Sequence, residues 1–269
     1  MLTDYHTHTY RCGHAVGVLP EYIESAIAKG IGEIGLTDHL WLYFEEPAKR
    51  DPRWAMPEEQ YAEHYAEMLE MRERYRGRIN VRVSVEADYI EGEEAQLKRI
   101  LGGFEFDYVL GSVHFMDGWL IDDPDQAHRY REERVAEIYR RYYRRLQKAI
   151  ALGAFDLLAH FDLPKKFGFL PEEDLSDIVT ETLDMVRDGD LAMEVSTAGL
   201  RKAVGEIYPS PWILAEMRKR EIPISLSSDA HDPLEVGIDY ARSIAAVREA
   251  GYSEVAVFEA RERRLLPLG

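Results

Sequence analysis

Short runs of apolar, often β-branched residues alternate along the whole chain with longer stretches whose apolar positions recur at helical spacing. The short runs predict strands over Leu2 to Tyr5, Glu33 to Thr37, Asn80 to Val85, Tyr108 to Val113, Asp156 to Ala159, Leu191 to Val195 and Ile222 to Leu226. The longer ones predict helices over Pro20 to Lys29, Pro57 to Tyr75, Glu93 to Leu101, Asp125 to Leu152, Glu172 to Arg187, Pro211 to Arg220 and Glu235 to Ala250. Pro20, Pro57 and Pro171 stand where helices should begin, and Gly30, Gly153 and Gly251 where they should stop. Seven β/α repeats with no linker predict a single α/β barrel domain over residues 1–269. Trp41 to Pro57 and Phe115 to Pro124 are then loops over one face, and the tail from Tyr252 to Gly269 is expected to hold a further strand and a short helix.

Composition narrows the class. The balance of 46% hydrophobic and 31% charged residues is that of an ordinary folded protein. No basic stretch followed by an apolar one opens the chain, and no apolar run approaches membrane-spanning length. The single cysteine, Cys12, leaves no intrachain disulfide, which fits a reducing compartment, so a cytoplasmic protein is expected. A formal charge of -17 repels polyanions, and no basic run interleaved with aromatics offsets it, so neither nucleic acid nor membrane is an expected partner. A small anionic substrate meets a milder form of this repulsion, which an internal cluster of cations would overcome.

The histidines supply that possibility. Seven of the nine lie at or just after the C-terminal end of a predicted strand, where a β/α barrel gathers side chains from separate strands. His6 and His8 close the first strand two residues apart and so point the same way, and His14 follows on the loop. The second strand ends in Asp38-His39, the third in Glu86, the fourth in His114 and the fifth in His160; Asp229 and His231 follow the seventh. Any one of these suits a structural role, but independent structural roles would not collect them all at one barrel end. Mixed nitrogen and oxygen donors favour zinc, iron or manganese over magnesium or calcium. His64 and His128 fall within or at the start of helices and read as solvated positions. Cys12 reads as a packing residue, and the loop aromatics Trp41, Tyr43 and Phe44 as a cover for an imidazole or a base.

His6-Thr7-His8, His14, Thr37-Asp38-His39, Val85-Glu86, Gly111-Ser112-Val113-His114, Ala159-His160 and Ser228-Asp229-Ala230-His231 together resemble the ordered motifs of the PHP (polymerase and histidinol phosphatase) superfamily. The resemblance implies a distorted (β/α)7 barrel, similar to a TIM barrel, with three divalent metal ions at the C-terminal ends of the strands. It implies His6, His8, Glu86 and Asp229 around a first ion, Glu86, His114 and His160 around a second, and His14, His39 and His231 around a third. A hydroxide bridging two ions would attack phosphorus, with Glu86, Asp229, His231 and Asp38 as the catalytic set. The segments His160 to Lys166 and Thr197 to Lys202 resemble the histidinol-phosphate phosphatase branch, which implies Arg201 and either Lys165 or Lys166 as phosphate contacts. The expected reaction is hydrolysis of L-histidinol phosphate in histidine biosynthesis. The alternatives are a phosphodiesterase or exonuclease of the same superfamily and a non-catalytic metal-binding scaffold.

Overall fold

The computed structural model describes residues 1–269. Its main sheet contains, in chain order, β1 (Thr3–Asp4), β2 (Glu33–Leu36), β3 (Asn80–Asp88) and β4 (Tyr108–Ser112). After a small antiparallel hairpin of β5 (Phe115–Met116) and β6 (Trp119–Leu120) it continues with β7 (Leu157–Leu158), β8 (Ala192–Ser196) and β9 (Ile224–Ser227). All neighbours in this sheet are parallel. Hydrogen bonds also lace its two edges: the Tyr5 amide donates to the Leu226 carbonyl at 3.2 Å, and the His8 amide to the Ala230 carbonyl at 2.8 Å. The sheet thus curls into a nearly closed barrel. One helix follows each barrel strand: α1 (Leu19–Ala28), α2 (Glu58–Arg74), α3 (Glu94–Leu101), α4 (Val135–Leu152), α5 (Ser176–Asp188), α6 (Pro211–Lys219) and α7 (Tyr240–Glu249).

Strand alternation sorts the core into two layers. Val109, Leu158 and Met193 join the large core shared with the helices, whereas their neighbours Tyr108, Leu110, Leu157 and Ala192 form a smaller cluster with Tyr5. In that inner cluster the Tyr5 and Tyr108 rings stack at 4.7 Å, and the Tyr108 hydroxyl donates to the Tyr5 carbonyl at 2.7 Å. A Cβ on Gly35 would sit 1.8 Å from that hydroxyl, so only glycine leaves room for the tyrosine. Phe258, 5.6 Å from Tyr108, seals this end of the barrel, opposite the strand ends that carry the histidines.

Phe258 belongs to a C-terminal hairpin, β10 (Glu254–Glu259) with β11 (Glu262–Pro267), and not to the strand and short helix expected of the tail. Its two-residue turn, Ala260-Arg261, holds both residues at positive φ, 49° and 67°. Asn-Gly or Gly-Gly is the usual signature of such a turn, and its absence hides the hairpin from sequence. Three helices also begin later than expected. The span from Asp125 is a polar 3-10 run, Pro124–Arg131, that buries only Tyr130 before α4 starts. Pro171 precedes α5 by several residues, and positive φ values at Gly237 (62°) and Asp239 (58°) break the path between Glu235 and α7. No helix is long and apolar enough to cross a membrane.

Candidate metal centre

The strand ends converge on one carboxylate. Oε2 of Glu86, at the upper part of β3, lies 3.1 Å from His6 Nε2, 3.4 Å from His8 Nε2 and 3.0 Å from His39 Nδ1. Oε1 of the same group lies 3.2 Å from His160 Nε2 and 3.6 Å from His114 Nε2. Across from it, Asp229 Oδ1 is 3.6 Å from His6 Nε2, 3.4 Å from His8 Nε2 and 3.5 Å from His231 Nδ1. Asp229 has φ of 50°, an uncommon conformation for a residue with a side chain, here held just beyond β9 where its carboxylate meets the cluster. The His14 ring completes the group, 4.8 Å from His231 and 5.5 Å from His39 between centroids. All nine expected ligand residues therefore share one site.

Their partition among ions is less simple than the expected three sets. His39 stands close to Glu86 and His114, and also to His8 and His231. Cys12 offers its sulfur within 4.8 Å of ligand atoms of His14 and His231. Burial and the Asp38 charge push that thiol up to about 12, so it is protonated at neutral pH, consistent with packing and not with a nucleophile.

The arrangement fits divalent cations. His114 Nε2 and His160 Nε2 face each other at 3.1 Å, and both turn toward Oε1 of Glu86, so two ring nitrogens converge on one carboxylate oxygen. Nε2 of the fully buried His6 approaches Glu86 without hydrogen-bond alignment and has no other partner. Buried polar atoms left without partners are rare in native proteins, and a shared cation relieves them. The outer nitrogens are already oriented: His6 Nδ1 meets Glu194 Oε2 at 2.9 Å, His114 Nδ1 meets Asp88 Oδ1 at 3.0 Å, and His14 Nδ1 meets the Arg53 carbonyl at 2.8 Å. Such supports fix the ring that a metal ligand presents.

Protonation follows the same geometry. Burial would raise the Glu86 and Asp229 carboxyls, but the surrounding imidazoles, His6 foremost, hold both well below the usual range and therefore ionised. Burial and neighbouring imidazoles lower His8, take His14 to about 4 and hold His231 far down, which leaves these rings neutral and ready to donate lone pairs. His114 goes the other way: burial lowers it, but Asp88 and Glu86 push it to about 10. His6 is likewise raised, against its burial, by Glu86, Asp229 and Glu194.

The expected substrate contacts fare differently. A cavity of about 440 Å³ opens above the cluster, with Lys166, Lys202, Trp54, Phe115 and Phe167 in its wall. Lys165 is not among them. Its ammonium is buried and bound by Asp162, Glu206, Ser210 and the Ile207 carbonyl, because a charge so enclosed needs oxygen partners. Arg201 is outside the wall as well. Its Nη2 donates to the Ser228 carbonyl at 2.8 Å and the Asp229 carbonyl at 3.2 Å, bracing the loop that carries Asp229, while Nη1 has no partner. Lys166 faces the cavity and pairs with Asp122 at 2.9 Å. Lys202 reaches solvent at the mouth, yet the surrounding protein and the Lys166 charge lower its affinity for a proton.

Asp38 also lies off the cavity wall. It accepts from the Thr9 amide at 2.6 Å and the Thr9 hydroxyl at 2.8 Å, and His64 Nε2 lies 2.9 Å away. Burial opposes its ionisation, but His64, His8 and the Thr9 amide bring the carboxyl down to about 2. His64 is thus no solvated helix position: it is fully buried on a stripe of α2 with Tyr61, Met68 and Met71. His128 is exposed as expected. Trp41 and Tyr43 are buried away from the cavity, Trp41 against Tyr61 at 5.1 Å, and Phe44 packs on Phe115 at 4.8 Å. Glu194, Asp88, Asp122 and Lys202 are site residues not expected from the sequence. Two carried a signal: Glu194 interrupts an apolar strand, and Asp88 lies two residues beyond Glu86 on the same face.

Residues 4–198 match the PHP domain family. A protein of Deinococcus radiodurans named probable histidinol-phosphatase is 38% identical over 266 residues, covering 99% of both chains. The histidinol-phosphatase of Bacillus subtilis is 30% identical over 262 residues, covering 88% of this chain and 96% of its own. Among solved structures, the histidinol phosphate phosphatase of Lactococcus lactis, complexed with zinc, L-histidinol and phosphate, superposes with a TM-score of 0.84 at 18% identity over 98% of each chain. With the family match spanning most of its length and its strand-end histidines gathered around one carboxylate, this chain belongs to the PHP domain family.

Proposed function

We infer that this chain is a metal-dependent phosphatase that hydrolyses L-histidinol phosphate to L-histidinol and phosphate. The observation that carries the reaction class is the cluster of seven imidazoles, Glu86 and Asp229 under a small cavity with two lysines in its wall. The full-length similarity to proteins named histidinol-phosphatase supports the substrate. A cavity of about 440 Å³ suits one small phosphate monoester.

Zinc, iron or manganese, bound in up to three positions, would supply an activated water and neutralise phosphoryl charge. The chain's own residues do the rest. Glu86 presents an oxygen to each of two ligand groups, Asp229 and His231 close the side nearest β9, and His14 and His39 the outer side. Glu194 and Asp88 hold His6 and His114 in the orientation that turns Nε2 inward. Lys166 and Lys202 draw the phosphate of the substrate into an otherwise acidic protein, and Trp54, Phe115 and Phe167 exclude water around its organic part. Arg201 braces the Asp229 loop from outside the cavity and pairs with Glu235.

The decisive assay compares turnover of L-histidinol phosphate, a nucleoside monophosphate and a single-stranded oligonucleotide, with manganese, zinc and iron in turn. L-histidinol phosphate is expected to lead by about a hundredfold or more in kcat/KM. Preference for the oligonucleotide would overturn the substrate, and phosphate release from none of them by metal-loaded protein would favour a scaffold. Lys202→Ala is expected to raise KM about tenfold, equivalent to about 1.4 kcal/mol, with kcat nearly unchanged. An unaltered KM removes Lys202 from the phosphate site.

A further inference from the structure

The short loop between His8 and His14 is tied to α2 by two polar links that the proposed chemistry does not use. On one side, both Asp38 oxygens hold Thr9, the residue after His8, and His64 of α2 lies 2.9 Å from the same carboxylate with both side chains buried. On the other, Arg11, in the turn Tyr10–Cys12, donates to Glu67 of α2 at 2.7 Å, and Glu67 lies 3.7 Å from His64 Nδ1. Two residues further, Gly13 has φ of +85°, and a Cβ there would meet the Pro52 carbonyl at 1.9 Å, so the chain is fixed in a narrow passage just before His14.

His64 is a costly residue for this position if it only packs. Its neighbours on the stripe are Tyr61, Met68 and Met71, and an apolar side chain would fill the same space. Instead neither ring nitrogen forms an aligned hydrogen bond, and its one close polar contact is the Asp38 charge. His14, meanwhile, needs outside support more than the other ligands do. His6, His8 and Glu86 are buried at strand ends, whereas His14 sits on a loop at the solvent-facing rim of the site, its ring turned inward and anchored only to the Cys12 and Arg53 carbonyls.

We propose that His64 and Glu67 are positioning residues: acting through Asp38 and Arg11, they clamp the Thr9–Cys12 segment to α2 and thereby hold His14 on the metal cluster. The proposal rests on His14 being a metal ligand. It predicts a selective effect: loosening the clamp weakens the ion that His14 shares with the outer side of the site and spares the ions around Glu86.

The test measures zinc release from the loaded protein to a chromophoric chelator, together with thermal unfolding, for wild type, His14→Ala, His64→Leu, His64→Gln and Glu67→Ala. His14→Ala should lack one equivalent of zinc. His64→Leu and Glu67→Ala should release that same equivalent about ten to a hundred times faster, the range typical of losing a group that orients a ligand, with the remaining zinc unchanged. His64→Gln, which keeps a donor for Asp38, should recover part of the retention. Wild-type release by both His64→Leu and Glu67→Ala would overturn the clamp. If His64→Leu fails to fold, Glu67→Ala decides alone, since Glu67 is 40% exposed and removes no core contact. Full zinc retention by His14→Ala would overturn the ligand reading itself, an outcome visible without the other variants.

Discussion

Glu86→Ala is expected to lower kcat/KM by about a thousandfold or more, a loss of about 4 kcal/mol of transition-state stabilisation, and to reduce bound metal by more than one equivalent. The size follows from position. Glu86 is the one side chain with an oxygen on each side of the cluster, Oε2 toward His6, His8 and His39 and Oε1 toward His114 and His160. Its removal leaves five imidazoles crowded around a void without the one anion common to all of them. Asp229→Ala, by contrast, leaves the His114 and His160 side intact and should lose less metal. Elemental analysis beside kinetics checks both. A Glu86→Ala protein with full metal content would show that Glu86 does not bridge, whatever its activity.

The barrel was legible because its signals are local. Strand-length apolar runs, helical periodicity and the punctuation by Pro20, Gly30 and Gly153 all occur within a few residues of the elements they mark. The hairpin at the end was not, because Ala260 and Arg261 adopt left-handed backbone conformations that neither residue advertises, held there by the Asp107 contacts to their amides. The late start of α7 has the same origin, at Gly237 and Asp239. Proline marks where a helix is permitted to begin, and the backbone between Pro233 and Tyr240 turns away first.

For the site, residue type and strand-end position picked out side chains that do meet in the fold, since a barrel gathers separate strand ends into one place. Side-chain direction was harder. Lys165 and Lys166 are adjacent in sequence, yet one is buried in a ring of oxygens and the other lines the cavity, and only the 3-10 turn from Leu163 to Phe167 decides which. Arg201 and Lys202 divide in the same manner. His64 was hidden by its type: a histidine on a polar helix suggests solvent, although its spacing from Tyr61, Met68 and Met71 places it on the buried stripe.

Stripping the metal should abolish activity and lower the unfolding temperature, and the size of that drop should depend on pH. An ion present at a hundred times its Kd stabilises the fold by about 2.7 kcal/mol. In a chain of this length that corresponds to about 5 to 10 °C for each ion lost. Protons make up part of the difference in the stripped protein, because the carboxylates that lose their cation hold charged imidazoles instead. His114 is raised to about 10 by Asp88 and Glu86 against its burial, and His6 is raised, also against its burial, by Glu86, Asp229 and Glu194. A group whose folded value lies above its unfolded value of about 6.5 stabilises fully below that pH and loses its contribution as pH climbs toward the folded value. His8, His14 and His231 are shifted the other way, so above about pH 6.5 they are neutral in both folded and unfolded chains and add no slope. Metal binding displaces the protons on His6 and His114 and strengthens as they leave. The gap in unfolding temperature between loaded and stripped protein should therefore widen from about pH 6.5 to about pH 9. Calorimetry of the two forms across this range checks the sign, and a gap that narrows with rising pH would mean that the imidazoles around Glu86 do not exchange protons for metal.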